Sequence, residues 1–492
     1  MKATLHLDTG NIISSIDNRI YSSFIEHMGR AVYTGIYEPT HKSADAEGFR
    51  QDVADLIRPL NISHIRYPGG NFLSGYDWKD GIGPKKDRPT RPELAWSALE
   101  PNQVGTDEFL SYCERMQISP MLGVNLGTGT PKDALELLEY CNSSLPTYWV
   151  NERIKNGRKD PYGVKLWCLG NEMDGPWQIC AKTAAEYSRI ACETAKLMKM
   201  LDPDIELVAC GSSFHNMPTF RIWEETVLRE CYPYIDYLSL HQYYQNMDGD
   251  IMSFLCSDED MADFIDEVAA ICERIKKEKN SDKDIKLSFD EWNVWYHFQK
   301  AGKTPEKWIV GRPIEEEEFD FADTLLVGGM LNTLINHSDT VKIACLAQLV
   351  NCIAPIMTEE NGKSWTQTIY WPFLYASKYG RGTALRLTAE VPSYTCKLRK
   401  EASYLSSSAI LSEDGHTVSL FLINKNPDEE MEIDLPEIKG ELLSFVTIAG
   451  HSFDTVNTAD SQPVFPKEVA GKCLEDLKLP AASWNMIQIK LS

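Results

Sequence analysis

The sequence predicts an α/β protein, a (β/α)8 TIM barrel followed by an antiparallel β-sandwich that the N-terminal strand completes. Three observations predict it. Eight short apolar runs alternate with amphipathic stretches, the pattern of βα units on a parallel sheet. Beyond about Gly380 the pattern changes to strict alternation broken by turn signals. Each of the eight runs also leads into a polar residue, at the position where a barrel gathers its chemistry.

The runs cover residues 19–26, 62–67, 119–125, 164–170, 205–211, 236–241, 285–291 and 341–348. Between them, 182–200 and 260–279 carry apolar residues at helical spacing. The stretch 321–335 is more apolar and stops at Asn336-His-Ser-Asp. A doubly wound open sheet is the competing architecture. It has fewer strands and, when it binds dinucleotides, a GxGxxG turn after its first strand, which this sequence lacks. In the C-terminal part, 403–411, 416–424, 431–435, 442–448 and 483–491 alternate apolar and polar residues, and Glu413-Asp-Gly415 is one of the turns between them. The first residues, Ala3-Thr-Leu-His-Leu onward, are also β-like and are expected to join that sheet. The expected division is a catalytic barrel over 18–382 and a jelly-roll-like sandwich of 1–17 plus 383–492.

Bulk properties narrow the function classes. The chain has 492 residues, 43% of them hydrophobic, and a formal net charge of −23. That charge repels polyanions, so nucleic acids and anionic membranes are not expected partners, whereas a neutral ligand meets no such barrier. The N-terminus has no apolar core of a signal peptide, and no run is long enough to span a bilayer. The 13 cysteines are odd in number, scattered and without a CxxC pair, as expected of free thiols in the cytoplasm.

Reading the strand ends in order gives Glu26, Asn71 just past the second strand, Asn125, Asn171-Glu172, Ser212, His241, Glu291 and Gln348. Loops converge on one mouth at this face of a barrel. Two of the carboxylates lie among aromatic residues, in Leu166-Trp-Cys-Leu-Gly-Asn-Glu-Met-Asp-Gly-Pro-Trp177 and Leu287-Ser-Phe-Asp-Glu-Trp-Asn-Val-Trp-Tyr296. Rings beside a carboxyl offer flat faces to sugars and raise the pKa of an acid that must stay protonated. A pair of carboxyls flanking a glycosidic bond is what acetal hydrolysis requires. Each residue also has a structural reading. Glu172 or Glu291 alone could be a salt-bridge partner, and His241 alone a satisfied core histidine. Asp174 is expected to stabilise the turn after the fourth strand. Asp290 is expected to face the helix layer, because neighbours on a regular strand point to opposite faces.

These motifs resemble the clan A glycoside hydrolases and, more narrowly, the family 51 α-L-arabinofuranosidases over nearly the whole chain. The likeness rests on Ser23-Phe-Ile-Glu-His-Met-Gly-Arg-Ala-Val32, Ile65-Arg-Tyr-Pro-Gly-Gly-Asn-Phe72, Glu100-Pro-Asn-Gln-Val-Gly105 and Trp167-Cys-Leu-Gly-Asn-Glu-Met-Asp-Gly-Pro-Trp177. It continues in Ser239-Leu-His-Gln-Tyr-Tyr244, Ser288-Phe-Asp-Glu-Trp-Asn-Val-Trp295 and Ala347-Gln-Leu-Val-Asn351. The resemblance implies a retaining, exo-acting enzyme that releases terminal L-arabinofuranose from arabinan or arabinoxylan oligosaccharides. It implies Glu172 as general acid/base and Glu291 as nucleophile. Asn171 would bond the sugar 2-hydroxyl, Tyr243 would hold the nucleophile, and His241 would support the acid/base region. Glu26, Asn71 and Gln348 would grip furanose hydroxyls between walls of Trp96 and Trp295. No metal or other cofactor is implied, and relatives of this type assemble as hexamers or tetramers. After Asn125-Leu-Gly-Thr128 this chain has Gly129-Thr130 where many relatives have Arg-Gly, a departure that bears on the leaving-group side.

Three other readings stay open on sequence. One is a different retaining glycosidase on the same scaffold, such as a β-xylosidase or endo-glucanase. A second is a metal-dependent barrel hydrolase, disfavoured because no HxH or HExxH occurs. The third is a non-catalytic sugar-binding protein, which would have no need of both carboxylates.

Overall fold

The computed structural model describes residues 1–297, 305–471 and 473–492. Eight parallel strands close into a barrel: β1 Ser22–Phe24, β2 His64–Tyr67, β3 Ser119–Val124, β4 Leu166–Leu169, β5 Glu206–Ala209, β6 Tyr237–Tyr244, β7 Lys286–Val294 and β8 Val341–Leu346. All eight fall where the apolar runs predict them. Two run past the expected ends: β6 continues to Tyr244 and β7 to Val294, pairing Glu291 with His241, Asn293 with Tyr243 and Val294 with Tyr244.

Alternation sorts the side chains of each strand. Phe24, Met121, Leu166, Cys168, Val208, Tyr237, Ile343 and Cys345 form a small cluster drawn from strands all around the ring, which places it inside the barrel. Their neighbours Trp167, Leu169, Leu207, Ala209, Leu238, Leu287 and Phe289 face outward and join the large core beneath the helices.

Asp290 departs from this pattern and from the expectation that it faces the helices. Its carboxylate lies inside the barrel, 3.2 Å from His241 Nε2 and 3.4 Å from Arg66 Nε. The cause is an irregularity in β7. Its register against β6 shifts between Ser288 and Glu291, and against β8 between Phe289 and Trp292, so two consecutive acids turn to the same side.

The amphipathic stretches are the helices Ala184–Leu201 and Ser257–Lys279. The more apolar stretch is the helix Phe321–Asn336, in which every residue through Ile335 is buried. Its all-round apolarity has a physical reason, since the helix lies between barrel and sheet. One side packs on the helix Ser257–Lys279. On the other, Asn332 and Asn336 hydrogen-bond to Ser408 and to the Ser407 carbonyl.

The second unit is one continuous nine-stranded, mostly antiparallel sheet. Lys2–Ser15 joins it as expected, antiparallel to Thr383–Glu390 and parallel to Met431–Asp434. The sheet folds over on itself, for Leu5, Leu420, Phe445, Ile433 and Leu479, from strands far apart in its order, share one core. Thr383–Glu390 was not among the anticipated strands, because its outer half alternates between exposed and half-buried residues. All 13 cysteines are free and ten are buried. Among the described residues no helix is long and apolar enough to cross a membrane.

Candidate active site

All but two of the predicted polar strand ends, Asn125 and Ser212, come together at the mouth of the barrel. Glu172 is placed by the turn after β4. Gly170 at φ +89° and Glu172 at φ +44° are both left-handed, a conformation that costs a non-glycine residue about 1 kcal/mol. The turn is fixed from both sides: the Tyr187 hydroxyl donates to the Leu169 carbonyl at 2.7 Å, and the Gly175 N–H to the Glu172 carbonyl at 2.9 Å. Glu291 projects from within β7. One oxygen of Glu172, one oxygen of Glu291 and a ring nitrogen of His241 all lie within 4.8 Å of one another. The two carboxylates therefore share one cavity, with side chains only 10% and 7% exposed.

Their surroundings differ. Glu291 accepts from Arg66 Nη1 at 2.6 Å through one oxygen and from the Tyr243 hydroxyl at 2.9 Å through the other. Glu172 is 2.9 Å from His241 Nδ1 and accepts from Trp177 Nε1 at 2.7 Å. Burial and the nearby Glu291 charge raise the Glu172 pKa, while the contacts with His241 and Trp177 offset part of that rise. Burial alone would depress the His241 pKa. The carboxylates of Glu291, Asp290 and Glu172 outweigh it and push the imidazole up to about 10.

Arg66 ties the floor together. Its Nη2 donates to Asn171 Oδ1 at 2.6 Å, and its guanidinium stacks 4.8 Å over the Phe24 ring. Asn171 Nδ2 then reaches Asn71 Oδ1 at 3.4 Å.

Glu26, Gln348 and Trp96 form a neighbouring cluster, close enough for the Glu291 charge to act on Glu26. Glu26 Oε1 accepts from the Phe72 N–H and from Trp96 Nε1, each at 2.8 Å, while Gln348 Oε1 accepts from the Glu26 N–H at 2.9 Å. Burial, helped by the negative charges of Glu291 and Glu93, pushes Glu26 up to about 8, so its carboxyl is mostly protonated at neutral pH. Trp295 packs edge-on against Tyr243 with ring centroids 5.0 Å apart, and its Nε1 donates to Glu315 at 2.8 Å. Contacts thus join Glu172, Glu291, His241, Tyr243, Asn171, Asn71 and Trp295 in one cluster and Glu26, Gln348 and Trp96 in another. Asn125 and Ser212 are not among them. Asn125 instead caps its own loop by accepting from the N–H groups of Gly127 and Thr128, and the Ser212 N–H donates to Glu224. Asp174 has its expected structural place, accepting from the Ser213 backbone and hydroxyl.

Several residues that shape the site were not anticipated. Arg66 could have been found, since alternation in Ile65-Arg-Tyr67 sends it opposite the outward-facing Ile65. Trp177 lay in plain view in the aromatic segment around Glu172. Glu93, whose carboxylate accepts the Ala95 and Trp96 N–H groups at 2.7 Å each, and Glu315 act through loop geometry that leaves no pattern in the sequence.

Among the described residues, Glu172, His241 and Glu291 could offer one ligand atom each to a metal. Their chemistry does not suit one. The Arg66 guanidinium, 2.6 Å from Glu291, already supplies a cation to that carboxylate. What the arrangement can do is deliver a proton from one carboxyl and a nucleophilic or electrostatic carboxylate from the other to a single bond.

Comparison with known proteins shows the family. Residues 56–262 match the family model for the α-L-arabinofuranosidase 1 domain and 290–483 the model for the α-L-arabinofuranosidase C-terminal domain. The chain is 48% identical to the intracellular exo-α-(1→5)-L-arabinofuranosidase 1 of Bacillus subtilis (strain 168), with 99% of each chain covered. It is also 48% identical, with the same coverage, to the intracellular exo-α-(1→5)-L-arabinofuranosidase of Acetivibrio thermocellus. Among solved structures, a family 51 α-L-arabinofuranosidase from Bifidobacterium longum superimposes with a TM-score of 0.94 at 38% identity over 99% of both chains. The α-L-arabinofuranosidase of Thermotoga maritima, solved as an arabinose complex, gives 0.88 at 31% identity over 100% of both.

Proposed function

Because the chain belongs to the family 51 α-L-arabinofuranosidases, we propose that it is an exo-acting α-L-arabinofuranosidase that works by double displacement with retention of configuration. The observation that carries this reading is the spacing of the carboxylates, one oxygen of each lying within 4.8 Å of the other. Retaining glycosidases hold their two carboxyl groups about 5–5.5 Å apart, whereas inverting enzymes leave about 6.5–9.5 Å for a water.

In the first step a Glu291 oxygen attacks the anomeric carbon as the bond to the leaving oxygen breaks, and the Glu172 proton passes to that oxygen. The product is a glycosyl ester on Glu291 and a Glu172 carboxylate. In the second step Glu172 takes a proton from water, the water oxygen attacks the anomeric carbon, and Glu291 departs as carboxylate. Burial suits Glu172 to the first role by keeping it protonated at higher pH than an ordinary glutamate. Arg66 and Tyr243 aim Glu291 through both of its oxygens. Asn171, braced by Arg66, faces the 2-hydroxyl of the bound sugar, where a hydrogen bond strengthens as positive charge develops on the neighbouring carbon. Glu26, Asn71 and Gln348 grip the remaining hydroxyls, with the protonated Glu26 able to donate as well as accept. Trp96 and Trp295 wall the pocket, and His241 holds Glu172 in place.

The substrates are short arabinose-containing oligosaccharides, taken up and cleaved in the cytoplasm, in keeping with the names of the Bacillus and Acetivibrio relatives. Residues 18–382 form the catalytic unit and 1–17 with 383–492 the accessory sheet, and the protein assembles as a homo-oligomer. A panel of nitrophenyl glycosides tests the activity: the α-L-arabinofuranoside is expected to be the best substrate, and a faster β-D-xyloside would overturn the assignment.

A further inference from the structure

Asp290 takes no part in the steps above, yet β7 is distorted in a way that brings it inside the barrel. The register shifts that accompany Glu291 turn the preceding acid to the same side. There it is 1% exposed, and its Oδ2 lies 3.8 Å from the thiol of Cys168, a member of the apolar cluster inside the barrel. A carboxylate among apolar side chains is costly to bury even when it is paired. A branched apolar residue would fill the same space more favourably, so packing alone does not account for an aspartate here.

Its two charged neighbours are the residues that bridge the catalytic pair. Arg66 Nε lies 3.4 Å from Asp290 Oδ2, whereas Arg66 Nη1 and Nη2 reach Glu291 and Asn171 at 2.6 Å each. Arg66 thus has its closer anion in Glu291 and does not depend on Asp290. The other oxygen, Oδ1, lies 3.2 Å from His241 Nε2. Both atoms are buried and neither has another hydrogen-bond partner, so each has only the other to serve it. At the far edge of the ring, Nδ1 is 2.9 Å from Glu172 and 3.5 Å from Glu291. The imidazole therefore stands between Asp290 on one edge and the catalytic carboxylates on the other. Which ring nitrogen carries hydrogen is set by the partner that the other nitrogen meets, and an anion at Nε2 settles a hydrogen there.

We propose that Asp290 is a positioning residue for Glu172: it holds a hydrogen on His241 Nε2, fixes the ring, and so commits Nδ1 to the carboxyl that serves as acid/base. Asp290 touches neither the sugar nor the reacting atoms and acts through the imidazole. The inference rests on the acid/base role of Glu172 and deepens it, because it names what orients the group that orients the acid.

The test measures kcat/KM of the full-length enzyme on α-(1→5)-arabinobiose and on 2,4-dinitrophenyl α-L-arabinofuranoside, whose leaving group departs without a proton. Asp290→Asn keeps the shape of the side chain and removes its charge. It should lower kcat/KM about 100-fold on arabinobiose and about fivefold or less on the dinitrophenyl glycoside. In Glu172→Ala the same substitution should lower the arabinobiose value less than about threefold, since residues that act through one another are not additive. Should circular dichroism show that Asp290→Asn does not fold, Asp290→Glu displaces the carboxylate while keeping its charge, and the same contrast between substrates is expected of it. An aspartate with a merely structural task predicts equal losses on both substrates. Equal losses overturn the proposal, as does a 100-fold loss that persists in Glu172→Ala. If Glu172→Ala itself loses equally on both substrates, the acid/base reading fails and the role of Asp290 falls with it.

Discussion

The ends of β4 and β7 present the same residue type to the same cavity, yet they treat it in opposite ways. At β7 a register shift brings Glu291 against a guanidinium and a phenol, and each carboxylate oxygen has a donor. At β4 a left-handed turn swings Glu172 out over the mouth, where its partners are an imidazole and an indole and burial raises its pKa. The residue type decides neither role. A nucleophile needs to be an oriented anion, a general acid needs to keep its proton, and a few ångströms of environment separate the two.

Breaking the β7 side should cost most. Glu291→Ala removes the attacking oxygen, and steady-state kinetics should show kcat reduced by about 10⁵-fold; a loss of only tenfold would move the nucleophile elsewhere. On the β4 side the loss should depend on the leaving group. Glu172→Ala is expected to lower kcat/KM about 10³-fold on oligosaccharides and far less on a dinitrophenyl arabinofuranoside, whose departure needs no proton. Azide should then accelerate turnover and appear in the product as an arabinofuranosyl azide of retained α configuration.

Arg66 touches both sides, through Glu291 and through Asn171. Arg66→Lys keeps the charge but loses the two-pronged geometry, and kcat should fall about 100-fold while the fold persists. A subtler change sharpens the contrast. Trp177→Phe removes a donor that lowers the Glu172 pKa, so that pKa rises further. The alkaline limb of the kcat/KM profile should therefore move to higher pH, with a rate loss of about tenfold or less. The smallest expected effect is on stability. Glu26 ionises near 8 when folded but in the ordinary glutamate range, near 4.5, when unfolded, so the folded state binds more protons between those values. Its contribution is fully present below the unfolded pKa and is lost as pH rises through about 8. The melting temperature should decline over that window, and Glu26→Gln should flatten the decline.

The barrel was legible because its signals are local and repeated. Each strand is a short apolar run, and the polar residue that follows marks the mouth. The carboxylate pair was legible for the same reason, with Glu172 and Glu291 standing at the fourth and seventh of those ends. Asp290 was misplaced because alternation assumes a regular strand, and the irregularity of β7 depends on pairing with β6 and β8. The same limit hid Glu93 and Glu315, which hold Trp96 and Trp295 from a three-residue hairpin strand and a loop, both too short or irregular to show a period. Thr383–Glu390 was missed where exposure on one side weakened the apolar signal. The helix Phe321–Asn336 was readable as a helix, but its place between barrel and sheet follows from an apolarity that has meaning only once both partners are known.

The pairing of Glu172 with Glu291 across one bond is tested most directly by the anomeric configuration of the first product, followed by proton NMR during the opening minutes of hydrolysis. Two successive displacements on the same carbon predict α-L-arabinofuranose before mutarotation sets in. Initial appearance of the β anomer would mean a single displacement by water and would contradict a covalent role for Glu291.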